Sequence, residues 1–172
     1  MVKVAIFMGS ASDEALMTPC AEVLAKLGVE YRITVSSAHR TPERTERLVR
    51  EFEAEGCQVF ICAAGMAAHL AGAVAARTTK PVLGVPLAAS PLSGMDALFA
   101  TVQMPPGFPV GTLALDKAGA KNAAWMAAQI LALSDPALAG RIKTERAGFV
   151  ASVEKAAKAV EEADAARRAG VR

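Results

Sequence analysis

Residues 59–76 read VFICAAGMAAHLAGAVAA, eighteen consecutive positions without a formal charge. That length meets the threshold for a membrane-spanning helix, so the reading of this stretch decides the class of fold. Alanine and glycine dominate it, His69 sits near its middle, and β-branched Val59 and Ile61 precede a glycine at position 65. A buried strand that turns at the glycine and enters a helix accounts for all three features, and a membrane span for none of them.

Working outward, short apolar runs recur at 2–8, 29–35, 58–63, 82–85 and 112–115, with helical periodicity between them. The first helix is expected over 12–27, with Leu16, Cys20, Val23, Leu24 and Leu27 on one face and Gly28 as its stop. The second opens at TPER, where Thr41 can cap and Pro42 takes the first helical position, and ends before Gly56. Strand, turn and helix in repetition predict an α/β three-layer sandwich around an open parallel sheet. The near-continuous apolar strands imply burial on both faces. Two further helices, over 118–133 and 136–168, are expected after the last strand. The chain reads as one catalytic domain over 1–172, with 135–172 a helical tail packing at subunit interfaces.

An open parallel sheet binds ligands at the carboxyl ends of its strands. The segments at those ends are MGSASD, SSAHR, AAGMAAH and PLAASPLSGMD, so the clusters of small residues, hydroxyls and histidines share one edge. Gly9 to Asp13 lie where a strand enters a helix, which suits a phosphate or equally a simple N-cap. Asp13 would repel a bare phosphate but can accept from the hydroxyls of a nucleotide's ribose. Arg40 beside Ser37 offers a fork for a phosphate monoester, or is a solvated residue before a helix. His39 and His69 are the only histidines. Imidazole is the side chain that ordinarily titrates near neutrality, so His39 at the ligand edge is a candidate acid and base. His69 is either a core histidine bonded to backbone or part of a small pocket with Ala63, Ala64, Gly65, Ala67 and Ala68. Ser36 and Glu43 read as ordinary loop positions.

The totals exclude other classes. A net charge of +2 from 19 basic and 17 acidic residues gives no basic stripe for nucleic acid. Three cysteines, Cys20, Cys57 and Cys62, have neither disulfide nor zinc spacing and read as buried thiols. The start MVKVAIFMGS is too short an apolar run for a secretory signal, which makes the cytoplasm the expected location. An apolar share of 53% points to surface covered between subunits. A phospho-receiver on this fold needs acidic residues after the first and third strands, where MGS and AAG stand. A flavodoxin-like nucleotide-binding module remains a competing reading.

The ordered set MGSASD, SAHRTP, AAHLAG, PVLGVP, LSGMDAL and VQMPPGFPVGTLAL closely resembles the N5-carboxyaminoimidazole ribonucleotide mutases, the class I phosphoribosylaminoimidazole carboxylase family of purine biosynthesis. The resemblance covers about residues 3–133. It implies a flavodoxin-like octamer with no metal and no organic cofactor, acting on a small ribonucleotide without nucleic acid or membrane partners. The carboxylate moves from exocyclic N5 to ring carbon C4. By the same resemblance Ser10, Asp13, Ser37 and Arg40 bind substrate, His39 shuttles the proton, and His69 joins it in catalysis. Ala64, Gly65, Ala67 and Leu70 then line the substrate and CO2. Met66, Ala71 and Asp116 depart from the usual glycine, proline and glycine. Direct CO2 carboxylation of aminoimidazole ribonucleotide, the class II reaction, is the alternative. Its enzymes usually carry lysine after the histidine, so Arg40 and AAHL favour class I.

Overall fold

The computed structural model describes residues 1–170. The chain divides into two compact units, Met1–Leu131 and Ala132–Arg172. The first holds five strands: β1 (Val4–Met8), β2 (Tyr31–Val35), β3 (Val59–Gly65), β4 (Val82–Leu87) and β5 (Gly111–Thr112). All pair in parallel in the order β2-β1-β3-β4-β5. This is the flavodoxin-like order, whose switch point lies between β1 and β3. The helices are α1 (Glu14–Lys26), α2 (Pro42–Ala54), α3 (Leu70–Ala75), α4 (Met95–Val102) and α5 (Asp116–Ala132). The second unit is one long helix, α6 (Pro136–Gly170), after a short turn in which the Asp135 carboxylate accepts the Leu138 N–H at 3.0 Å.

Alternation along the strands sorts the core into two faces. Ala5, Phe7, Phe60, Cys62 and Val82 join Leu48, Val49 and Phe52 of α2 and Leu70, Ala71 and Val74 of α3. On the same face, a side chain at Gly84 would meet Thr101 of α4 and Ala71 of α3. Right-handed crossovers put α1 on the other face, because it alone carries the chain from β1 back to the outer strand β2. There Met17, Cys20 and Leu24 are fully buried. The open parallel sheet with helices on both faces is therefore present as expected.

The uncharged stretch 59–76 resolves into β3, a tight turn and the six-residue α3. Among the described residues no helix is long and apolar enough to cross a membrane. All three cysteines are free and buried, and burial pushes the Cys20 thiol up to about 12 and the Cys57 thiol up to about 11.

Several expectations are corrected. β2 is an edge strand, with Ile33 39% and Val35 36% exposed, so burial on both faces fails there; position in the sheet overrides apolar composition. The first helix opens with a 3-10 turn at Ala11–Asp13, and the face that packs on the sheet runs through Met17, Cys20 and Leu24, which leaves Leu16 and Val23 at its margins and only half-buried. The fifth strand is two residues, Gly111–Thr112, and α4 supplies the crossover before it. Thr41 occupies the N-cap position of α2, yet its hydroxyl bonds Ser37 instead of capping the helix. Gly28 and Gly56 do follow the first two helices, at φ of 67° and 95°.

Ser36 is not an ordinary loop residue. It is 1% exposed, and its hydroxyl lies 2.8 Å from that of Thr45, which is fully buried in α2. The Thr45 hydroxyl donates its one proton to the Thr41 carbonyl at 3.3 Å, so Ser36 is the donor in the pair. Thr45→Val therefore strands a buried Ser36 O–H and should cost about 1–2 kcal/mol, with Ser36→Ala milder. The double variant should recover most of the loss, because no hydroxyl is left unpaired. Urea unfolding of the three proteins reads this directly, and simple additivity of the two losses would refute the pairing.

Candidate active site

One cavity of about 660 Å³ opens at the carboxyl ends of the strands. The β1 loop brings Gly9, Ser10, Ser12 and Asp13 to it, the β2 loop Ser37, Ala38, His39 and Arg40, and the β3 turn Ala64 to Leu70. Ala89 reaches it from the loop after β4. Ser10, Asp13, Ser37, His39, Arg40, Ala64, Gly65, Ala67, His69 and Leu70 thus all line a single space. Sheet order is the cause, since β1 lies between β2 and β3 and places the three loops side by side.

The β1 loop is a reciprocal cap. The Ser10 N–H donates to Asp13 Oδ2 at 2.9 Å, and the Ser10 hydroxyl accepts from the Ser12 N–H at 3.3 Å. The capping and ligand-edge readings therefore describe the same residues. Asp13 is 8% exposed. Burial pushes its carboxyl up, opposed by the Ser10 amide and the Ser12 hydroxyl.

The β2 loop closes on itself. Ser37 N–H donates to the Thr41 hydroxyl at 3.0 Å, that hydroxyl donates back to the Ser37 carbonyl at 3.1 Å, and the Arg40 N–H donates to Ser37 Oγ at 3.2 Å. The Ser37 hydroxyl still has its proton to give a ligand. The exposed Arg40 guanidinium has no partner among the described residues.

The braced loop brings His39 against His69, thirty residues later. His39 Nε2 and His69 Nδ1 are 2.7 Å apart, with ring centroids separated by 4.8 Å and planes at 70°. One nitrogen must donate and the other accept, so the pair shares one proton across the contact. His69 is exposed at the start of α3, which overturns its reading as a core histidine. Sequence spacing held no sign of this pairing, because only the β3 turn geometry directs His69 toward the β2 loop. Beyond the two rings lies an apolar recess of about 510 Å³, lined among others by Gly72, Ala100, Met104 and Phe108.

The β3 turn is backbone-constrained. Met66 and Ala68 have φ of 54° and 36°, a region that favours glycine. A side chain on Gly65 would begin 2.5 Å from the Ala89 Cβ, so the turn and the β4 loop touch only because position 65 is glycine. Leu70 is 2% exposed and joins the core as well as the cavity wall. Ala38 and Ala89 were missed by sequence reading, since alanine carries no chemical signal of its own; the place of Ala89 at a strand end was the available hint.

The raised carboxyl of Asp13 has a thermodynamic sign. The native state holds its proton above the ordinary value of 3.8, so this group's stabilising contribution is lost as pH rises from there through the folded value. Asp13→Asn removes that dependence. The melting temperature of the variant minus that of the parent should become more positive between about pH 4 and pH 7, and a flat difference would contradict the assignment.

A profile of the family described as AIR carboxylase matches residues 3–151. The chain is 52% identical over 144 residues to the N5-carboxyaminoimidazole ribonucleotide mutase of Escherichia coli strain K12, covering 84% of this chain and 85% of that one. It is 50% identical over 152 residues to the mutase of Brucella melitensis, covering 88% and 94%. Crystal structures of Treponema denticola PurE proteins superpose with TM-scores of 0.82 and 0.78 at 28% identity, over 90% of this chain and 96% of theirs. By sequence along most of its length and by fold, the chain belongs to the AIR carboxylase family.

Proposed function

We propose that the protein is an N5-carboxyaminoimidazole ribonucleotide mutase, converting its substrate to 4-carboxy-5-aminoimidazole ribonucleotide. The observation that carries the reading is the His39–His69 contact, set between a polar pocket end and an alanine-rich turn, in a chain half identical to proteins of that name. Arg40 and the Ser10 and Ser37 hydroxyls hold the 5′-phosphate. Asp13 accepts from the ribose hydroxyls.

His39, as imidazolium, gives its proton to N5 while the N–carboxyl bond breaks and CO2 leaves. The enamine-like ring carbon C4 then attacks that CO2, forming the C–C bond, and neutral His39 removes the C4 proton. Both product and His39 return to balance: one proton is given at nitrogen and one is taken at carbon. Such transfers contribute about 10²- to 10⁴-fold in rate. His69 Nδ1, 2.7 Å from His39 Nε2, accepts a hydrogen bond from His39 and steadies its imidazolium form at the start and end of the cycle. The wall of Ala64, Gly65, Ala67 and Leu70 keeps CO2 beside C4, so that recombination outruns escape. Met66, an exposed side chain, lines the open end of this wall.

The working form is a homo-oligomer, an octamer by resemblance, in the cytoplasm, with the helical tail packing between subunits; its last two positions, 171–172, lie outside the described residues. Val150, Val153 and Val160 support this, because they form an exposed apolar stripe along α6 at helical spacing.

The purified protein should isomerise the carbamate substrate rapidly and without dependence on added bicarbonate. Turnover only from aminoimidazole ribonucleotide plus bicarbonate would identify the direct carboxylase instead. His39→Asn should lower kcat by about 10²- to 10⁴-fold with nucleotide affinity nearly unchanged. Arg40→Ala should raise KM by about tenfold or more through loss of a charged hydrogen bond, with a smaller effect on kcat. Steady-state kinetics and calorimetric titration with the product read both.

A further inference from the structure

Asp116 takes no part in this proton transfer, yet two independent features single it out. It is the first residue of α5 and has φ of 54°, an unfavourable backbone for any residue but glycine, relieved somewhat for aspartate. Its Oδ1 accepts the N–H of Ala88 at 2.9 Å, across 28 residues. β4 ends at Leu87, so the Ala88 amide has passed beyond the strand ladder and takes this carboxylate as its partner.

The next residue, Ala89, forms part of the cavity. It folds back, donating its N–H to the Leu87 carbonyl at 2.9 Å, and its side chain lines the site. It fills the space that a side chain on Gly65 would need, and Gly65 opens the turn that ends at His69. The far end of the same loop is also pinned. Gly94, at φ 83°, leaves no room for a side chain between Ala88 and Leu115, the residue before Asp116. The 88–94 loop is therefore clamped at both ends by residues 115 and 116.

We propose that Asp116 is a positioning residue: its carboxylate holds the 88–94 loop so that Ala89 stays seated on Gly65 and the apolar wall beside the His69 turn remains closed. A carboxylate at a helix start also favours the helix itself. That role alone would lower the melting temperature and leave substrate handling untouched. The kinetic part of the test rests on the mutase reading; the structural part does not.

Three variants separate the effects. Asp116→Asn keeps an oxygen acceptor, Asp116→Gly removes it while relieving the backbone, and Asp116→Ala removes it without relief. In both Gly and Ala variants, KM for the carboxyamino ribonucleotide should rise about tenfold with kcat within about twofold, and Asn should rescue KM to near the parent value. Hydrogen exchange at the peptide containing Ala88 should quicken at least about tenfold in Gly and Ala but not in Asn. A parent-like KM and exchange rate in the Gly variant would overturn the proposal, as would an Asn variant as impaired as Ala. If the parent protein fails to isomerise the substrate, the mutase reading falls, and the exchange comparison alone decides for or against the Asp116 anchor.

Discussion

Everything in the first unit depends on β1 pairing in parallel with two neighbours at once. Val4–Met8 bonds β2 on one side and β3 on the other, residue for residue. Parallel pairing obliges the chain to leave each strand at the same edge and return by a helix. Three loops that carry hydroxyls, an arginine and both histidines are thereby stacked beside one another. The Gly9 N–H continues the ladder to the Ala63 carbonyl at 3.0 Å, and the Ser36 N–H to the Met8 carbonyl at 2.8 Å. The sheet thus reaches into the loops themselves and gives them a rigid base.

The parts of this arrangement that derive from period and punctuation were readable in the sequence. Apolar runs, helix starts and stops, and their placement at one edge required only local rules. Residue by residue, the cavity lining came from motifs whose spacing survives as loop geometry. What could not be read depends on three-dimensional position. An apolar run such as Tyr31–Val35 looks alike at the edge or the centre of a sheet, and only strand order exposes Ile33. Ser36 resembles any loop serine until Thr45, nine residues on, turns out to face it in the core. The histidine contact is the extreme case, because it spans two elements whose relative orientation no window of sequence contains.

The site combines stiffness of different kinds. The β1 and β2 loops are held by hydrogen bonds among their own residues, Ser10 with Asp13 and Ser37 with Thr41. The β3 turn has little of this. It relies on close packing between small residues and on backbone angles that Met66 and Ala68 adopt against their preference. The polar end of the cavity is thus fixed by directional bonds and the apolar end by exclusion, a division that suits the phosphate grip and CO2 confinement proposed for the site.

The two edges of the sheet are unequally open to pairing with a further strand. β5, at two residues, is too short to template another strand, whereas β2 offers five. Arg44 of α2 leans over that longer border, donating Nε to the Val35 carbonyl at 3.1 Å and a guanidinium nitrogen to the Thr34 hydroxyl at 3.2 Å. A foreign strand would have to displace a cation to reach the last carbonyl before the His39 loop. Arg44 therefore places a charged side chain on the outermost carbonyl of β2, where an added strand would have to bond.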